Sequence, residues 1–542
     1  MAAPHRHLPR RGGPLDAAAR PALAAAGGLA LTAAFPPVAA WPLVLAGPAM
    51  LLAAADGRPP AAAFRLGYVF GLVHFTSLLW WIAPTVARYG GLPSWGALPV
   101  PLLLAAYLAL YPGAWTAGLA LWRRGRSHGR LVPLVAAAAW TLLEWLRGHL
   151  LSGFPWGALA YALAPRPELI QTAEIWGPYG LSFWTALGAG LLWLGCRRVP
   201  GRRRARAAAL AAFAALALAG WGWGAARIRA VRADDARRPV LRAAVVQGAV
   251  PQDRKWDPAF QAATVEIYRR LSLAAAAGWH PDRPALVVWP ETATPFYFQD
   301  PGPLSRAVRE IPVLARAALL FGSPAHRPGP GGGVAYLNSA YLLDRLGRVR
   351  GRYDKRHLVP FGEYLPWGPL TAWARGLIPS VGEFTPGAAA APLAAGDIRV
   401  GPLICFESIF PALARRSAAA GANVLAVLTN DAWFGRTGAP FQHAAMAALR
   451  AVETRRWVIR AANTGVSAFF TPWGACRRPT RLFRRTWIAE DVRLRDGRTP
   501  YLRAGDFPVL AGVIFLPAAA IFLEYFLATR RPGTRRPGGQ AP

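Results

Sequence analysis

Val400-Gly-Pro-Leu-Ile-Cys-Phe-Glu407 reads as a buried strand that runs into a sharp turn, with a helix expected from about Phe410. The junction places Cys405 at the carboxyl end of a strand, which is the usual place for chemistry in α/β folds. A helix N-terminus nearby favours the thiolate form of a cysteine. Cys405 is therefore a candidate nucleophile, although a cysteine flanked by apolar residues is more often an inert packing residue.

Two further stretches put a base and a cation at the ends of predicted strands. In Val287-Val-Trp-Pro-Glu291 a carboxylate follows a buried strand. Poor hydration there is expected to raise the pKa of the carboxyl group, which suits a general base that works near neutral pH. The segment Tyr353–Glu363 contains Lys355, one of only two lysines among 62 basic residues. Because the chain uses arginine almost everywhere else, Lys255 and Lys355 mark positions where a compact ammonium is needed and a planar guanidinium is not tolerated.

Each of these groups has a less specific interpretation when it is taken alone. Glu291 could lie in a solvated turn, and Lys355 could be a surface charge in a basic segment. Together with Cys405 they form a base, a cation and a thiol, which are the groups that thioester chemistry requires. The combination therefore predicts a catalytic site.

The region around these stretches alternates between short apolar runs and amphipathic helical patterns. The predicted elements are a strand at 240–247, a helix at 260–277, a strand at 285–289, a helix at 304–318, and strands at 318–322, 334–343, 349–355, 398–406 and 424–429. This alternation predicts an α/β layered fold with buried strands.

The rest of the chain has the composition of a membrane protein. Hydrophobic residues make up 54% of the 542 residues and charged residues 16%, against about 25% charged in soluble domains. A hydrocarbon layer of ~30 Å takes roughly 20 residues per helix, and about eight apolar stretches approach this length. The predicted spans are 21–37, 41–56, 66–86, 97–122, 131–151, 176–196, 206–226 and 507–528, and a single re-entrant segment is the alternative for the first two.

The arginines indicate how these spans are oriented. They give a net charge of +35 but lie in short runs between apolar stretches, a pattern that orients membrane segments and does not form a nucleic-acid recognition face. The runs occur before the first span, after spans two, four and six, and at the C-terminus, so both termini are expected in the cytoplasm. The predicted divisions are a cytoplasmic basic tail at 1–20, a transmembrane region of about seven spans at 21–230, an extracytoplasmic catalytic domain at 240–500, a last span at 507–528 and a cytoplasmic tail at 529–542.

The three cysteines, Cys196, Cys405 and Cys476, are too few and too scattered for a disulfide framework or a metal cluster. No metal or other cofactor is therefore expected. Cys196 and Cys476 are interpreted as incidental.

Trp289-Pro-Glu291, Lys355 and Cys405-Phe-Glu407, in that order, resemble the Glu-Lys-Cys site of the nitrilase (carbon–nitrogen hydrolase) superfamily. Within it, the chain is similar to the apolipoprotein N-acyltransferase family over nearly its whole length. Matching stretches outside the site lie at 104–111, 144–147, 153–156, 246–256, 357–363, 429–435, 442–443 and 463–465. The resemblance implies a membrane α-helical bundle of about eight spans plus an α/β nitrilase-like αββα sandwich domain.

The resemblance also implies a two-step acyl exchange. Glu291, as general base, takes the proton of Cys405, and the sulfur attacks an acyl ester of a phospholipid, typically phosphatidylethanolamine. Lys355 and the N–H of Phe406 stabilise the oxyanion. The α-amino group of a diacylglyceryl-cysteine at the N-terminus of an apolipoprotein then takes the acyl group from the thioester, in the last step of lipoprotein maturation.

The resemblance also implies supporting roles for further residues. Glu363 and Glu407 match family carboxylates, which either act directly or position Lys355 and the turn. Phe406 stands where many relatives have tyrosine. The residues matched to lipid or acyl-chain contacts, each with core packing as its alternative, are Trp256, Trp433 and Phe434.

Glu144 and Arg147, at i and i+3 in a predicted span, either pair with each other or contact a phosphate headgroup. Two other functions fit part of the sequence. A membrane-anchored nitrilase-type amidase keeps the site but does not need seven spans before its domain. A polytopic transporter or scaffold would spread polar residues through its spans and lack an ordered Glu-Lys-Cys set.

Overall fold

The computed structural model describes residues 14–529 with short interruptions. The positions outside the description are 1–13, 92, 125–129, 198–200, 202, 281, 330–331, 367–382, 389–390 and 530–542. Most of the predicted basic tails at 1–20 and 529–542 lies outside the described residues.

The helices of the described residues occur mainly before residue 236. In chain order they are α1 (Pro14–Ala33), α2 (Leu43–Ala55), α3 (Pro60–Leu78), α4 (Ile82–Tyr89), α5 (Ser94–Ala97), α6 (Pro99–Trp122), α7 (Val132–Arg147), α8 (Leu159–Ala162), α9 (Pro167–Ile170), α10 (Ala173–Cys196), α11 (Arg203–Asp235), α12 (Gln252–Lys255), α13 (Pro258–Ala276), α14 (Pro303–Ala315), α15 (Pro411–Ala419), α16 (Ala439–Thr454), α17 (Pro500–Ala504) and α18 (Phe507–Thr529).

Each of the eight apolar stretches predicted as a span contains or overlaps at least one helix. Within the described part of the chain, four helical segments are long and apolar enough to cross a membrane: Pro60–Leu78, Ser94–Trp122, Ala173–Cys196 and Arg203–Asp235. The apolar segments Leu43–Ala55 and Phe507–Phe522 are shorter. The structure therefore has four candidate membrane helices, and the count of eight stays a prediction.

Small residues let two of these helices approach closely. A Cβ added to Gly71 on α3 would lie 2.6 Å from Pro112 Cγ and 2.7 Å from Ala109 Cα on α6. Lipid tails are as apolar as helix side chains, so there is little hydrophobic driving force between helices in a bilayer. Helices there associate through close packing of this kind.

The strands follow α11. They are β1 (Val240–Gln247), β2 (Ala285–Val288), β3 (Ala318–Pro328), β4 (Val334–Leu343), β5 (Val349–Asp354), β6 (Leu393–Ala395), β7 (Ile398–Ile404), β8 (Val424–Thr429), β9 (Val458–Ala462), β10 (Ala468–Phe470), β11 (Cys476–Arg477) and β12 (Thr486–Arg493). Among the described residues they form two six-stranded sheets, ordered β12-β1-β2-β3-β4-β5 and β11-β10-β9-β8-β7-β6. The central strands β1, β2 and β3 are parallel, as are β7, β8 and β9.

The two sheets pack face to face, with one helical layer outside each. Leu241 and Val245 of the first sheet share a core with Val400 and Leu428 of the second. Helices α13 and α14 cover the outer face of the first sheet, and α15 and α16 cover that of the second. The prediction of an αββα sandwich is confirmed, and both sheets are mixed.

The sandwich rests on the helical bundle through α16. Arg455, just after α16, donates from Nε to Glu174 Oε2 on α10 at 2.7 Å and from Nη1 to Gln171 Oε1 at 2.8 Å. Apolar residues of α16 also share one continuous core with the bundle. The layer that covers the second sheet is thus also the layer that contacts the membrane region.

Candidate active site

Glu291 lies in the turn after β2, and hydrogen bonds fix both oxygens of its carboxylate. Asn338 Nδ2 donates to Oε1 at 2.8 Å, and the main-chain N–H of Asn430 donates to Oε2 at 2.8 Å. The next residue, Thr292, has a φ of +48°, in the left-handed region that β-branched residues rarely adopt. The turn is therefore strained and held in place by its surroundings.

The neighbouring strand β3 passes directly beneath this turn. A Cβ added to Gly322 on β3 would lie 2.5 Å from Thr292 N and 2.7 Å from Glu291 Cα. Glycine is required here because the two backbones approach too closely for any side chain.

Lys355 follows β5 and points at two carboxylates. Its Nζ lies 2.9 Å from Glu363 Oε1 and 3.8 Å from Glu291 Oε1, and the side chain is 1% exposed. Burial alone would lower the pKa of Lys355, but the negative charges of Glu363 and Glu291 raise it above its usual range. The ammonium therefore stays charged at neutral pH.

Glu363 holds this lysine in position. Its second carboxylate oxygen accepts the main-chain N–H of Val359 at 2.8 Å, and Asn338 Nδ2 donates to the first at 3.1 Å. Asn338 thus bridges Glu363 and Glu291, and the two carboxylates flank one ammonium.

Cys405 begins a single 3₁₀ turn, Cys405–Ile409, that follows β7. Its φ of +53° is a strained value for a residue other than glycine. Its main-chain oxygen accepts the hydroxyl of Ser408 at 2.9 Å and lies 3.1 Å from His443 Nε2. These contacts stabilise the strained turn.

The prediction that the thiolate of Cys405 is favoured is wrong. Burial raises the pKa of the thiol well above its usual range, the charge of Glu291 adds to this, and Lys355 only partly opposes it. Helix α15 begins at Pro411, six positions further on, so it does not offset the loss of hydration. Cys405 is a thiol at rest, and its proton has to be taken by a base.

Glu407 is fully buried and ties the turn to the segment after β5. Its Oε1 accepts the hydroxyl of Tyr353 at 2.9 Å and the main-chain N–H groups of Arg356 at 2.7 Å and His357 at 3.3 Å. Its Oε2 accepts the N–H of Ile404 at 2.7 Å. Of the two roles considered for Glu407, these contacts support positioning.

A second buried network lies behind the turn. His443 on α16 places Nδ1 3.2 Å from Asp431 Oδ1, and Arg460 on β9 donates to Asp431 Oδ2 at 2.8 Å. Burial would raise the pKa of Asp431, but Arg460 and His443 hold it at about 2. The sequence analysis placed Asp431 and His443 in matching stretches without giving them a role, and it did not identify Arg460. The available signal was an arginine inside an apolar run.

The aromatic residues proposed for lipid contact differ in their surroundings. Trp256 is 50% and Trp433 37% exposed, so both present aromatic surface to the outside of the protein fold. Phe434 packs edge-on against Trp81 at 4.7 Å between ring centroids, which supports its packing alternative. Phe406 is half-buried and lies 6.5 Å from the ring of Phe154, a residue of the membrane region.

The membrane region also contacts the turn at Cys405–Ile409 directly. Tyr161 donates its hydroxyl to Ile409 O at 3.1 Å, and Trp156 Nε1 donates to Gln442 Oε1 at 2.8 Å. The sequence did not identify this contact, because nothing in either segment alone indicates its partner.

Glu144 and Arg147 are both buried in α7 and lie 3.9 Å apart. Arg147 Nη1 donates to Trp156 O at 2.6 Å, and Glu144 Oε1 accepts the N–H of Leu159 at 2.9 Å. They anchor the segment beneath the turn, and a contact with a headgroup stays a prediction.

The site combines a fixed carboxylate, a charged ammonium and a protonated thiol at the ends of strands from both sheets. This is the arrangement of a carbon–nitrogen hydrolase fold, and residues 242–493 match the family model described as Carbon-nitrogen hydrolase. Residues 27–191 match the model of the apolipoprotein N-acyltransferase N-terminal domain.

Curated relatives extend the match over most of the chain. An apolipoprotein N-acyltransferase of Geobacter metallireducens is 39% identical over 92% of this chain and 94% of its own length. One from Methylococcus capsulatus is 34% identical over 91% of this chain and 94% of its own length. The chain belongs to the apolipoprotein N-acyltransferase family and is a membrane protein. Among solved structures, an amidase of the nitrilase superfamily from Nesterenkonia is 20% identical, with a TM-score of 0.37, over 49% of this chain and 94% of that one.

Proposed function

We propose that this chain transfers a fatty acyl group from a phospholipid, through a thioester on Cys405, to the α-amino group of the N-terminal diacylglyceryl-cysteine of an apolipoprotein. Relatives named for this transfer cover over nine-tenths of the chain. The observation that carries the chemistry is the Lys355 ammonium set between the carboxylates of Glu291 and Glu363, at the ends of the strands that also bring Cys405.

In the first step, Glu291 takes the proton of the Cys405 thiol as sulfur attacks the acyl ester carbonyl. The raised pKa of that thiol makes a neighbouring base necessary. The tetrahedral intermediate collapses by breaking the ester C–O bond, and Glu291 returns the proton to the departing lysophospholipid oxygen. The acyl group is left on sulfur.

The oxyanion of each tetrahedral intermediate is stabilised by the Lys355 ammonium and the main-chain N–H of Phe406. Lys355 is held by Glu363 and remains charged, so little reorganisation is needed when negative charge develops. One such preorganised donor is worth roughly 3 kcal/mol. Phe406 contributes only its backbone, so the lack of a tyrosine hydroxyl leaves this role intact.

In the second step, the free α-amine of the diacylglyceryl-cysteine attacks the thioester carbonyl. Glu291 takes the proton that the nitrogen loses, the C–S bond breaks, and the thiolate takes that proton back. The products are an amide on the lipoprotein and the original thiol.

Both substrates are lipids, which accounts for the membrane region. Removing a lipid from the bilayer costs about 0.8 kcal/mol per CH₂. A site whose nucleophile turn rests on Tyr161 and Phe154 can accept them from the membrane plane. The exposed rings of Trp256 and Trp433 are the proposed contacts for the acyl chains, and phosphatidylethanolamine is the proposed donor.

The proposed topology has eight spans, with a transmembrane region at 21–230, a catalytic domain at 240–500 and a last span at 507–528. The distribution of arginines supports both termini in the cytoplasm and the catalytic domain on the outer face of the bacterial cytoplasmic (inner) membrane. A cysteine introduced by Arg270→Cys, on an exposed face of α13, should react with a membrane-impermeant maleimide in intact spheroplasts. Labelling only after lysis would reverse the orientation.

The transfer is tested with purified protein, phosphatidylethanolamine and a synthetic diacylated lipopeptide. We expect N-acylated peptide and lysophospholipid in equal amounts from the wild type and from the control Cys476→Ser, and neither product from Cys405→Ser. Free fatty acid in place of acylated peptide would favour the amidase alternative.

A further inference from the structure

Both lysines of this chain lie beside Glu291. Among 62 basic residues only Lys255 and Lys355 are lysine, and they are 2% and 1% exposed. Lys355 approaches the carboxylate of Glu291, whereas Lys255 Nζ donates to its main-chain oxygen at 3.2 Å. In a chain that otherwise uses arginine, two buried lysines that meet at one residue indicate a need for the smaller cation.

Lys255 supports the strained part of the catalytic turn. It is the last residue of α12, and its bond to Glu291 O is made just before Thr292, whose φ is +48°. On the other side, Gly322 lets β3 pack against the same turn. A strained backbone persists only where several contacts determine it, and the Lys255 bond is one of them.

Lys255 also affects the balance of buried charge. Glu291 is faced by Lys355 and Glu363 from the segment after β5, by Cys405 after β7, and by Lys255. Two carboxylates close to a single ammonium repel each other, and a second cation offsets that repulsion. Burial lowers the pKa of Lys255 to about 8, and the charge of Glu291 opposes this, so the ammonium is charged at neutral pH.

We propose that Lys255 is a positioning residue for acyl transfer, which holds the turn of Glu291 through its main-chain oxygen and places a second positive charge beside that residue. This inference rests on the proposed role of Glu291 as the base. Lys255 does not touch the reacting atoms in this account.

The test compares Lys255→Met and Lys255→Arg with the wild type. Full-length protein in mixed micelles with phosphatidylethanolamine is sampled from pH 5 to pH 9, and the rate of acyl-adduct formation is measured by intact mass. At pH 7 we expect Lys255→Met to be slowed about 100-fold, since small displacements of a catalytic group have effects of that order. We expect the acidic limb of its profile to move up by about one pH unit, because loss of a nearby positive charge makes a carboxylate easier to protonate.

Lys255→Arg keeps the charge but not the size, so it should recover less than a tenth of the wild-type rate. The matched control is Arg456→Met. Arg456 is also 2% exposed and donates to main-chain oxygens of Ala422 and Gly497, away from Glu291. The Arg456→Met variant should have a lower unfolding temperature, but its folded form should keep the wild-type acylation rate and pH profile.

A folded Lys255→Met protein with the wild-type rate and profile would overturn the proposal, as would full recovery by Lys255→Arg. If the Met variant does not fold, Lys255→Gln removes the charge while it keeps a donor, and an acidic limb at the wild-type pH in that variant would overturn the proposal. Failure of the wild type itself to form an adduct would count against the proposed function and not against the role of Lys255.

Discussion

Replacing Glu407 by glutamine converts a fully buried carboxylate, which accepts four hydrogen bonds, into a group with one acceptor oxygen and one amide donor. The amide has to face either the N–H of Ile404 or the N–H of Arg356, because the two lie on opposite oxygens of the carboxylate. One buried N–H then loses its acceptor, at about 1–3 kcal/mol. We expect Glu407→Gln to cost about 2–3 kcal/mol, which lowers the unfolding temperature by about 5–10 °C for a domain of this size.

The activity should fall through kcat, because the displaced turn carries Cys405 and the N–H of Phe406. The KM for the phospholipid should change little. Thermal unfolding followed by tryptophan fluorescence in detergent gives the stability, and lysophospholipid release gives the kinetics. Glu266→Gln, on an exposed face of α13, is the control and should change the stability by less than about 0.5 kcal/mol. A Glu407→Gln protein that unfolds at the wild-type temperature but loses activity would refute this reasoning and assign Glu407 a direct role.

Three further outcomes are expected. Because burial raises the pKa of Cys405, its alkylation by iodoacetamide should be slow at pH 7.5 and rise about tenfold per pH unit beyond pH 9. Gly322→Ala should slow acylation at least about 100-fold, because the added Cβ would lie 2.7 Å from Glu291 Cα. Glu174→Gln should destabilise the protein by about 3 kcal/mol, because it leaves the guanidinium of Arg455 buried without its 2.7 Å carboxylate partner.

Each of these outcomes has a direct check. Peptide mapping of the alkylated protein resolves the three cysteines, and a rate for Cys405 that levels off below pH 8 would contradict the first. Gly302→Ala adds a Cβ with nothing within 4 Å and should be neutral, so equal losses in both glycine variants would contradict the second. For the third, the control is Glu310→Gln, which alters an exposed glutamate. An equal free energy of unfolding for Glu174→Gln and Glu310→Gln would contradict the prediction.

The parts of the fold and site that the sequence could predict are those with a local signal. Glu291 and Cys405 each follow an apolar strand, and Lys355 stands out by its rarity, so three short patterns and a resemblance located the site. Strands β1, β4 and β8 match their predicted bounds because each is a continuous apolar or alternating run.

The parts that could not be predicted depend on contacts between distant segments. Strand β9 was missed because Arg460 interrupts its apolar run, and only the fold reveals that this charge is paired with Asp431. Strands β10 and β11 have three and two residues, too few for a pattern. The hydration of Cys405 depends on what packs around it, so a local argument from a helix N-terminus gave the wrong direction for its pKa.

The most direct test of the proposed chemistry is the intact mass of the protein after incubation with phosphatidylethanolamine alone. We predict one fatty-acyl adduct on the wild type, released by hydroxylamine, absent from Cys405→Ser and cleared when a diacylated lipopeptide is added. A folded wild-type protein that forms no adduct, or an adduct that persists in Cys405→Ser, would contradict the acyl-enzyme mechanism.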